Sequence, residues 1–258
     1  MPSKNLTKDI NMSKYKSLLL IILSFVLISC DRQSDENIWI VGTSADNPPY
    51  EYMSNGKVIG FDIDFIQEVA SHLGKKVEIK NMEFHGLIAA LDSNSVDMVV
   101  AGMSVTKQRA ARVDFSVPYT DAEIAVLHKT GDGVLEGKDL HNKIVGVQLG
   151  TIWALIAQDM SIKYNFRVKS LNSNLMLVEE LKAGALDAVI LEEFQAKEFV
   201  SKYPQFTSFQ AKQYSSSFAI AMQKKSPLKK SVNHTIQTLK RQNFIEELSK
   251  KWGIVGAE

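Results

Sequence analysis

Two stretches of this 258-residue chain share one internal spacing, and this repetition constrains the possible folds more than any other feature of the sequence. In the first stretch, Leu91 precedes Asp97 by six positions and an apolar run follows at once. In the second, Leu181 and Asp187 have the same spacing and lead into the same kind of run. Each stretch is typical of a helix, a turn that carries Asp, and a buried strand. The repetition predicts two similar α/β lobes, although any α/β protein contains such units.

Short apolar runs alternate with helical patterns along the rest of the chain, which predicts a mostly parallel sheet flanked by helices in each lobe. Ile38–Val41 is the expected first strand, and the Asn-Gly pair at 55–56 predicts a hairpin turn. Asp62 is expected to cap a helix. Two amphipathic C-terminal helices are expected to pack back onto one of the lobes. The predicted boundaries are 38–122 together with 218–258 for lobe 1, and 123–217 for lobe 2.

The N-terminus carries the pattern of an export signal. Lys14 and Lys16 precede an uncharged apolar stretch of about 11 residues, which is too short to span a bilayer because spanning takes roughly 20. The only cysteine of the chain, Cys30, ends a Leu-Ile-Ser-Cys run directly after that stretch. We therefore predict a signal peptide over residues 1–29 and a polar, flexible tether over residues 30–37. A chance cysteine in an ordinary signal sequence is the alternative.

The run that ends in Cys30 resembles the lipobox of bacterial lipoproteins, in which the cysteine is lipidated and becomes the new N-terminus. This resemblance implies that the protein is exported to the periplasm or the cell surface. It also implies that acyl chains hold the protein at a membrane. A start at Met12 gives a tidier signal than one at Met1, and either start leaves the same mature chain.

Charge and composition exclude several classes of function. The chain has 30 Lys and Arg against 29 Asp and Glu, so it lacks the basic excess that nucleic-acid binding favours. Its five histidines are scattered without metal-ligand spacing. It has no phosphate loop, no G-x-S-x-G motif and no cysteine left for catalysis. We therefore expect a binding protein that is not an enzyme, with no cofactor, no metal and no nucleic-acid partner.

Polar groups follow three of the predicted strands, at the position where α/β sheets bind ligands. After the first repeated strand, Gly102 leaves its carbonyl free, Ser104 offers a hydroxyl, and Arg109 offers a planar fork that matches a carboxylate. A helix begins at Thr151 after another strand, and the free amides at its N-terminus form an anion site. Glu192 ends the second repeated strand, where a carboxylate can pair with an ammonium group.

Each of these signals also has an ordinary explanation. Arg109 could pair with Asp114 at the surface, and Thr151 could simply cap its helix. Glu192 and Glu193 could be solvated acids near the favourable end of a helix dipole. Taken together, however, one cationic fork, one anion-binding helix end and one carboxylate are the charge complement of an amino-acid zwitterion.

Seven motifs identify the family that the chain resembles. They are PPYE from Pro48, GFDID from Gly60, FHGLI from Phe84, AGMSVTKQR from Ala101, VDFSVPY from Val113, VGVQLGT from Val145, and the terminal Lys250-Lys251-Trp252. The chain resembles the extracellular solute-binding proteins of polar amino-acid ABC importers, a group that includes arginine-, histidine- and glutamine-binding proteins. The resemblance covers nearly the whole mature chain. It implies a two-lobed, periplasmic-binding-protein-like fold of type II.

The resemblance also implies a role for each matching residue. Arg109 and Ser104 match the groups that bind the ligand carboxylate. Thr151 and the Ile152 amide match the carboxylate contact from the second lobe. Glu192 matches the acid that binds the α-ammonium group, together with the carbonyl of the glycine in AGMSVT. The full predicted ligand-binding set is Ser44, Asn47, Tyr50, Phe84, Gly102, Met103, Ser104, Arg109, Gln148, Thr151, Ile152 and Glu192.

The chain departs from the family pattern around the ligand's side chain. Phe84 matches one wall of the side-chain slot. Asn47 stands where relatives often have an aromatic wall, so that Tyr50 or Tyr52 replaces it or the slot is wider. Ser44 stands where relatives that bind basic ligands can have Asp. The predicted ligand is therefore a basic or polar amino acid, with arginine favoured by the VGVQLGT and AGMSVT motifs.

The leading interpretation is a lipid-anchored, monomeric receptor that closes two lobes around a free L-amino acid and delivers it to the permease of an ABC importer. A sensor or surface adhesin on the same fold is the second interpretation. An enzyme is the third, because the fold also resembles cyclohexadienyl dehydratases. Such an active site needs a placed general acid, for which Glu192 or Glu193 could serve.

Overall fold

The structure is a computed structural model that describes residues 37–254, and these residues form thirteen strands and eight α-helices. The strands are β1 (Ile38–Thr43), β2 (Asp46–Asn47), β3 (Glu51–Ser54), β4 (Lys57–Ile59), β5 (Lys76–Asn81), β6 (Met98–Val99), β7 (Asp114–Phe115), β8 (Thr120–Lys129), β9 (Ile144–Gln148), β10 (Arg167–Leu171), β11 (Ala188–Glu192), β12 (Phe206–Phe218) and β13 (Ala221–Met222). The helices are α1 (Phe61–His72), α2 (Leu87–Asp92), α3 (Lys107–Arg112), α4 (Ile152–Tyr164), α5 (Asn174–Ala183), α6 (Glu193–Lys202), α7 (Lys229–Arg241) and α8 (Phe244–Lys251).

The signal peptide and Cys30 lie outside the described residues, as do the tether up to residue 36 and the last four residues of the chain. Within residues 37–254, no helix is long and apolar enough to cross a membrane.

The sheet of lobe 1 has five strands in the order β5-β1-β6-β13-β7. Its first strand forms from a run of β-branched and aromatic residues, a composition that suits a pleated and half-buried surface. Val41 in that strand is completely buried. Helix α1 contributes Phe65, Ile66 and Val69 to the same core cluster, at the spacing that places them on one helical face.

The sheet of lobe 2 also has five strands, in the order β10-β9-β11-β8-β12. Its first three strands repeat the arrangement of β5, β1 and β6, because β9 runs parallel to β10 and β11 as β1 does to β5 and β6. The prediction of an α/β protein with two similar lobes is therefore confirmed.

The repeated Leu–Asp spacing performs the same structural task in both lobes. Both leucines are completely buried. The Asp97 carboxylate accepts a hydrogen bond from the Ile40 amide at 2.7 Å, and the Asp187 carboxylate accepts one from the Ile144 amide at the same distance. Each aspartate therefore ties a turn to the central parallel strand of its own sheet. The repeated spacing in the sequence therefore corresponds to an equivalent hydrogen bond in each lobe.

The sheets are less parallel than the sequence analysis predicted. In each sheet two of the strand pairings are parallel and two are antiparallel. The antiparallel pairings arise because β8, β12 and β13 carry the chain between the lobes. The strand β13 returns to lobe 1 and is inserted between β6 and β7.

Strands β8 and β12 form the connection between the lobes. They pair with each other from Thr120 opposite Phe218 onward, with one irregularity between Gln210 and Ser215. The predicted lobe boundaries lie within these two strands, or at the ends of them, and the boundary residues stay predictions.

Two local predictions are confirmed. Asn55 and Gly56 have φ values of 50° and 75°, and β3 and β4 pair antiparallel on either side of them. The C-terminal helices pack on lobe 1, where Lys251 Nζ and Trp252 Nε1 both donate to the Asp64 carboxylate of α1 at 2.8 Å.

The predicted helix cap at Asp62 is wrong. Helix α1 begins one residue earlier, at Phe61, and Asp62 is completely buried. Its carboxylate accepts hydrogen bonds from the Gly102 amide at 2.7 Å and from the Tyr119 hydroxyl at 2.9 Å. These tertiary partners lie far away in the sequence, and they hold the side chain in the interior.

Gly60 is expected to resist replacement more strongly than Gly56. Gly60 has a φ of 136°, and a Cβ at this position would lie 2.1 Å from the Tyr50 carbonyl oxygen. Gly56 also has a positive φ, of 75°, but no atom lies within 4 Å of its added Cβ. In urea denaturation, Gly60→Ala should lower the free energy of unfolding by more than about 3 kcal/mol and Gly56→Ala by about 1 kcal/mol. Equal losses would contradict the predicted backbone clash.

Candidate functional site

A cavity of about 20 Å³ lies where the two lobes meet. Its lining residues are Asp46, Asn47, Glu51, Phe84, Ala101, Gly102, Ser104, Arg109 and Phe218 from lobe 1 and the end of β12, and Gln148, Thr151, Ile152, Trp153, Asn174, Glu192 and Gln195 from lobe 2. The lining includes three carboxyl side chains, and its cation is Arg109. Both sheets point the ends of their parallel strands at this cavity, which is where α/β sheets bind ligands.

Nine of the twelve predicted site residues line this cavity. They are Asn47, Phe84, Gly102, Ser104, Arg109, Gln148, Thr151, Ile152 and Glu192. Residues that lie about 140 positions apart in the chain, such as Asn47 and Glu192, are brought together by the closure of one lobe on the other.

The structure does not bring the other three residues to the cavity wall. Met103 is packed in the hydrophobic core of lobe 1. Tyr50 is completely buried, and Tyr52 packs edge-to-face against Trp252, so neither tyrosine supplies the second aromatic wall that the sequence analysis considered. Ser44 lines a neighbouring cavity and donates a hydrogen bond to Asp46 at 3.3 Å.

Sequence reasoning missed several cavity residues. They are Asp46, Glu51, Ala101, Trp153, Asn174, Gln195 and Phe218. An acid in the loop directly after the first strand was a signal that could have found Asp46. Asn174 and Gln195 had no such signal, because each belongs to the first turn of a helix and reaches the cavity only through the fold.

Arg109 presents a positive charge that no carboxylate of residues 37–254 neutralises. Helix α3 places it, because the Thr106 hydroxyl caps that helix by accepting from the Arg109 amide at 3.1 Å. The guanidinium donates to the carbonyl oxygens of Ser104 at 2.6 Å and of Gly150, in lobe 2, at 2.8 Å. It also lies 5.3 Å from the centre of the Phe84 ring. Burial lowers the pKa of Arg109 to about 10, so that it stays charged at neutral pH.

The surface pair that was the alternative for Arg109 does not form. Asp114 instead lies 3.4 Å from Lys224 and 3.7 Å from Lys229, and it accepts a hydrogen bond from the Lys225 amide. Arg109 is thereby left with carbonyl oxygens as its partners.

Glu192 presents a buried carboxyl group from the opposite lobe. It lies at the end of β11 and is 1% exposed. One carboxyl oxygen accepts from the Gln195 amide at 2.9 Å, and the other accepts from the Tyr50 hydroxyl of lobe 1 at 3.3 Å. Burial is the main cause that raises the pKa of Glu192 to about 8. Glu193 lies away from the cavity, bonded to Gln210 at 3.1 Å and to Lys197 at 2.7 Å.

Gly102 is held in place by the buried carboxylate of Asp62. It has a φ of 51°, and its amide donates to the Asp62 carboxylate at 2.7 Å. Burial raises the pKa of Asp62 to about 6. Burial and the nearby Asp62 carboxylate raise the pKa of Glu51 well above its usual range, and one carboxyl oxygen of Glu51 is buried without a hydrogen-bond partner among residues 37–254. Asn47 Nδ2 in turn donates to Glu51 at 3.1 Å.

Thr151 caps helix α4, as the alternative explanation proposed. Its hydroxyl accepts from the Ala154 amide at 3.2 Å and donates to the Gln148 carbonyl at 2.7 Å. The amide of Ile152 is the first of the helix, at a position where N–H groups have no intrahelical partner. Capping and anion binding are compatible here, because Thr151, Ile152 and Trp153 at the helix start all line the cavity.

Asp46 connects lobe 1 to lobe 2 through hydrogen bonds. Its carboxylate accepts from the Asn174 amide at 2.8 Å and from Gln148 Nε2 at 3.1 Å. Its backbone carbonyl accepts from Gln195 Nε2 at 3.0 Å. Asp46 is 9% exposed, and burial is the main cause that raises its pKa.

Comparisons with known proteins support one family. The sequence model of the bacterial extracellular solute-binding proteins, family 3, matches residues 39–255. The arginine-binding extracellular protein ArtP of Bacillus subtilis (strain 168) is 34% identical over 248 residues, which cover 92% of this chain and 97% of that protein. The structure of an ancestral arginine-binding protein bound to arginine has a TM-score of 0.78 and 34% identity, and the match covers 84% of this chain and 98% of that one.

A third similar structure bears on the enzyme alternative. It belongs to an ancestral amino acid-binding protein that is a precursor of cyclohexadienyl dehydratase. Its TM-score is 0.77 at 30% identity, with 84% of this chain and 95% of that one covered.

The raised pKa of Glu192 predicts a pH dependence of folding stability. The folded pKa of about 8 lies above the usual value of 4.5, so the folded state holds this proton more tightly than the unfolded state does. The resulting stabilisation is complete below about pH 4.5 and is lost as the pH rises through about 8. The free energy of unfolding of the wild type should therefore fall over this window, relative to that of Glu192→Gln, by up to about 1.4 kcal/mol per pH unit.

Urea denaturation at a series of pH values measures this difference. Glu193→Gln is the matched control, because it replaces the neighbouring acid outside the cavity and should keep the wild-type dependence. Parallel curves for the wild type and Glu192→Gln would contradict the prediction.

Proposed function

The chain belongs to the bacterial extracellular solute-binding proteins, family 3, and we propose that it binds a free L-amino acid in the cavity between its lobes. The family confirms that the chain is an exported, amino-acid-binding protein and not an enzyme. The similar protein on the evolutionary path to a dehydratase is itself described as an amino acid-binding protein.

The observation that carries the proposal is a guanidinium and an ionisable carboxyl group that face the cavity from opposite lobes, neither of them in an ion pair within residues 37–254. Arg109 meets carbonyl oxygens, and Glu192 meets an amide and a hydroxyl. Buried charges are strongly destabilising unless they are paired. An amino acid carries both complementary charges on neighbouring atoms, so one ligand pairs with both side chains and holds the lobes together.

The proposed contacts of the zwitterion follow from this placement. Its carboxylate lies at the Arg109 guanidinium, with the Ser104 hydroxyl and the first amides of α4 as further donors. Its ammonium group lies between Glu192 and the Gly102 carbonyl. Four or five charge-assisted contacts contribute about 1.5–3 kcal/mol each, less association costs of at least about 4 kcal/mol, which corresponds to roughly micromolar affinity or better.

The ligand is admitted by separation of the lobes. A cavity of about 20 Å³ holds about one water molecule and is too small for an amino acid. Because β8 and β12 connect the lobes, we infer that the hinge lies where these strands leave lobe 1, near Thr120 and Phe218.

The proposed ligand is a basic or polar amino acid, with arginine favoured. Two similar proteins support this choice, because one is named an arginine-binding protein and another was solved with arginine bound. Phe84 offers one aromatic wall to the side chain. The proposed partner is the permease of an ABC importer, to which the monomeric protein delivers its ligand.

Replacement of Arg109 tests the proposed function. In calorimetric titrations with the twenty amino acids, Arg109→Ala should lose affinity for every ligand that the wild type binds. The loss should be at least about thirtyfold, or about 2 kcal/mol, because the ligand carboxylate is buried without its counter-charge. Arg112→Ala is the control on the same helix, since Arg112 pairs with Asp92 at the surface. Normal affinity in a folded Arg109→Ala protein would exclude this binding mode.

Lipid anchoring is proposed from the lipobox-like run at Cys30. Cys30→Ala removes the acceptor of the acyl chains, and stable anchoring takes such chains because the apolar stretch is too short to span a bilayer. Cell fractionation should find the wild type with membranes and the variant in the soluble extracellular or periplasmic fraction. A variant that stays with the membranes would contradict a lipid anchor.

A further inference from the structure

We propose that Tyr50 is a positioning residue for the ammonium-binding acid, because its hydroxyl reaches from lobe 1 to the Glu192 carboxyl group of lobe 2 and orients it. This inference rests on the proposed function, in which Glu192 pairs with the α-ammonium group of the ligand. It assigns a different role to a residue that the sequence analysis placed in the cavity wall. The ammonium site is then complete only when the lobes are closed.

Lobe 1 fixes the Tyr50 ring. The residue is completely buried, and its ring packs edge-to-face against Phe61 at a centroid distance of 6.0 Å and against Phe218 at 5.3 Å. Its amide donates to the Asn47 carbonyl at 2.9 Å, and its carbonyl accepts from the Asp62 amide at 2.9 Å. A side chain that is close-packed on two aromatic neighbours has few alternative rotamers. The fold of lobe 1 therefore sets the position of the hydroxyl.

The hydroxyl of Tyr50 contacts one oxygen of the Glu192 carboxyl group. It donates to Oε1 at 3.3 Å, while the Gln195 amide of lobe 2 donates to Oε2 at 2.9 Å. Within residues 37–254, Tyr50 is the lobe 1 residue that makes a hydrogen bond to this group. Burial raises the pKa of Tyr50 well above its usual value, so the hydroxyl keeps its proton and acts as the donor.

The two donors leave room for a ligand. Each oxygen of a carboxylate has two lone pairs, so one donor on each oxygen of Glu192 leaves a further acceptor site for an ammonium group. The Gln195 amide stays with Glu192 when the lobes separate, because both residues belong to lobe 2. The Tyr50 hydroxyl moves away with lobe 1. Closure of the lobes therefore supplies the second of the two donors that orient the acid.

The other ionisable groups near Glu192 do not supply this orientation. Glu193, the next residue of the chain, pairs with Lys197 at 2.7 Å. Within residues 37–254, the remaining ionisable residues of the cavity wall make no hydrogen bond or ion pair with Glu192, and they are Asp46, Glu51 and Arg109.

Removal of the hydroxyl alone tests the inference. The calorimetric titrations use the L-amino acid that the wild type binds most tightly among the twenty. At pH 7, Tyr50→Phe should weaken its binding about three- to tenfold, a modest loss because the hydrogen bond is longer than the usual length of about 2.7–2.8 Å. Phenylalanine fills the same space, and thermal unfolding verifies that the variant is folded. Tyr52→Phe is the matched control, because the Tyr52 ring packs on Trp252, and it should keep the wild-type affinity.

Proton release on binding separates positioning from packing. Titrations at pH 8 in two buffers of different ionisation enthalpy count the released protons. The pKa of Glu192 of about 8 leaves about half of this acid protonated, and a bound ammonium group displaces the proton. A hydrogen bond to the charged form favours ionisation, so its loss in Tyr50→Phe should raise the release from about half a proton towards one. Tyr52→Phe should match the wild type, and Glu192→Gln should release about half a proton less.

The other outcomes overturn the inference. One is normal affinity in Tyr50→Phe. Another is weakened binding with the wild-type proton release, because the hydroxyl would then act through packing alone. Amino-acid binding by the wild type leaves the proposed function standing in both cases. Binding of no amino acid by the wild type overturns the proposed function, and this inference with it.

Discussion

A guanidinium that contacts carbonyl oxygens, and no carboxylate of the residues that the structure describes, is the constraint on which the cleft depends. Arg109 bonds to Ser104 in its own lobe and to Gly150 across the cleft, so its charge is oriented by both lobes and neutralised by neither. The cost of this arrangement falls on the empty protein, and an anionic ligand group removes it. Stability and affinity are therefore coupled, because the unpaired charge of Arg109 destabilises the empty protein and favours the binding of an anionic group.

The buried acids around the cavity differ in their hydrogen-bond partners. Asp62 accepts from the Gly102 amide in the interior, and this hydrogen bond fixes the backbone next to the buried Glu51. Glu192 and Asp46 are buried as well, but their partners are neutral donors at the cavity wall. Asp62 positions the backbone, whereas Glu192 and Asp46 each accept hydrogen bonds from both lobes.

Patterns of short range predicted much of the fold and of the site. The spacing of Asp97 and Asp187 predicted the two lobes, the Asn55-Gly56 pair predicted the hairpin, and strand ends predicted most of the cavity wall. The features that the sequence analysis did not predict are contacts between residues far apart in the chain. Tyr50 bonds to Glu192 from 142 positions away, and Asp62 bonds to Gly102 from 40 positions away. Local sequence cannot specify such partners, because the tertiary fold brings them together.

The ribbon of β8 and β12 has a mechanical consequence for a protein that opens and closes. Two strands that are hydrogen-bonded to each other along most of their length resist sliding, so one lobe cannot shear past the other. Rotation about the ends of the ribbon stays possible, since it strains only a few backbone torsions there. The lobes therefore open and close by rotation about one hinge, and each closure brings the same residues of the two lobes back into contact.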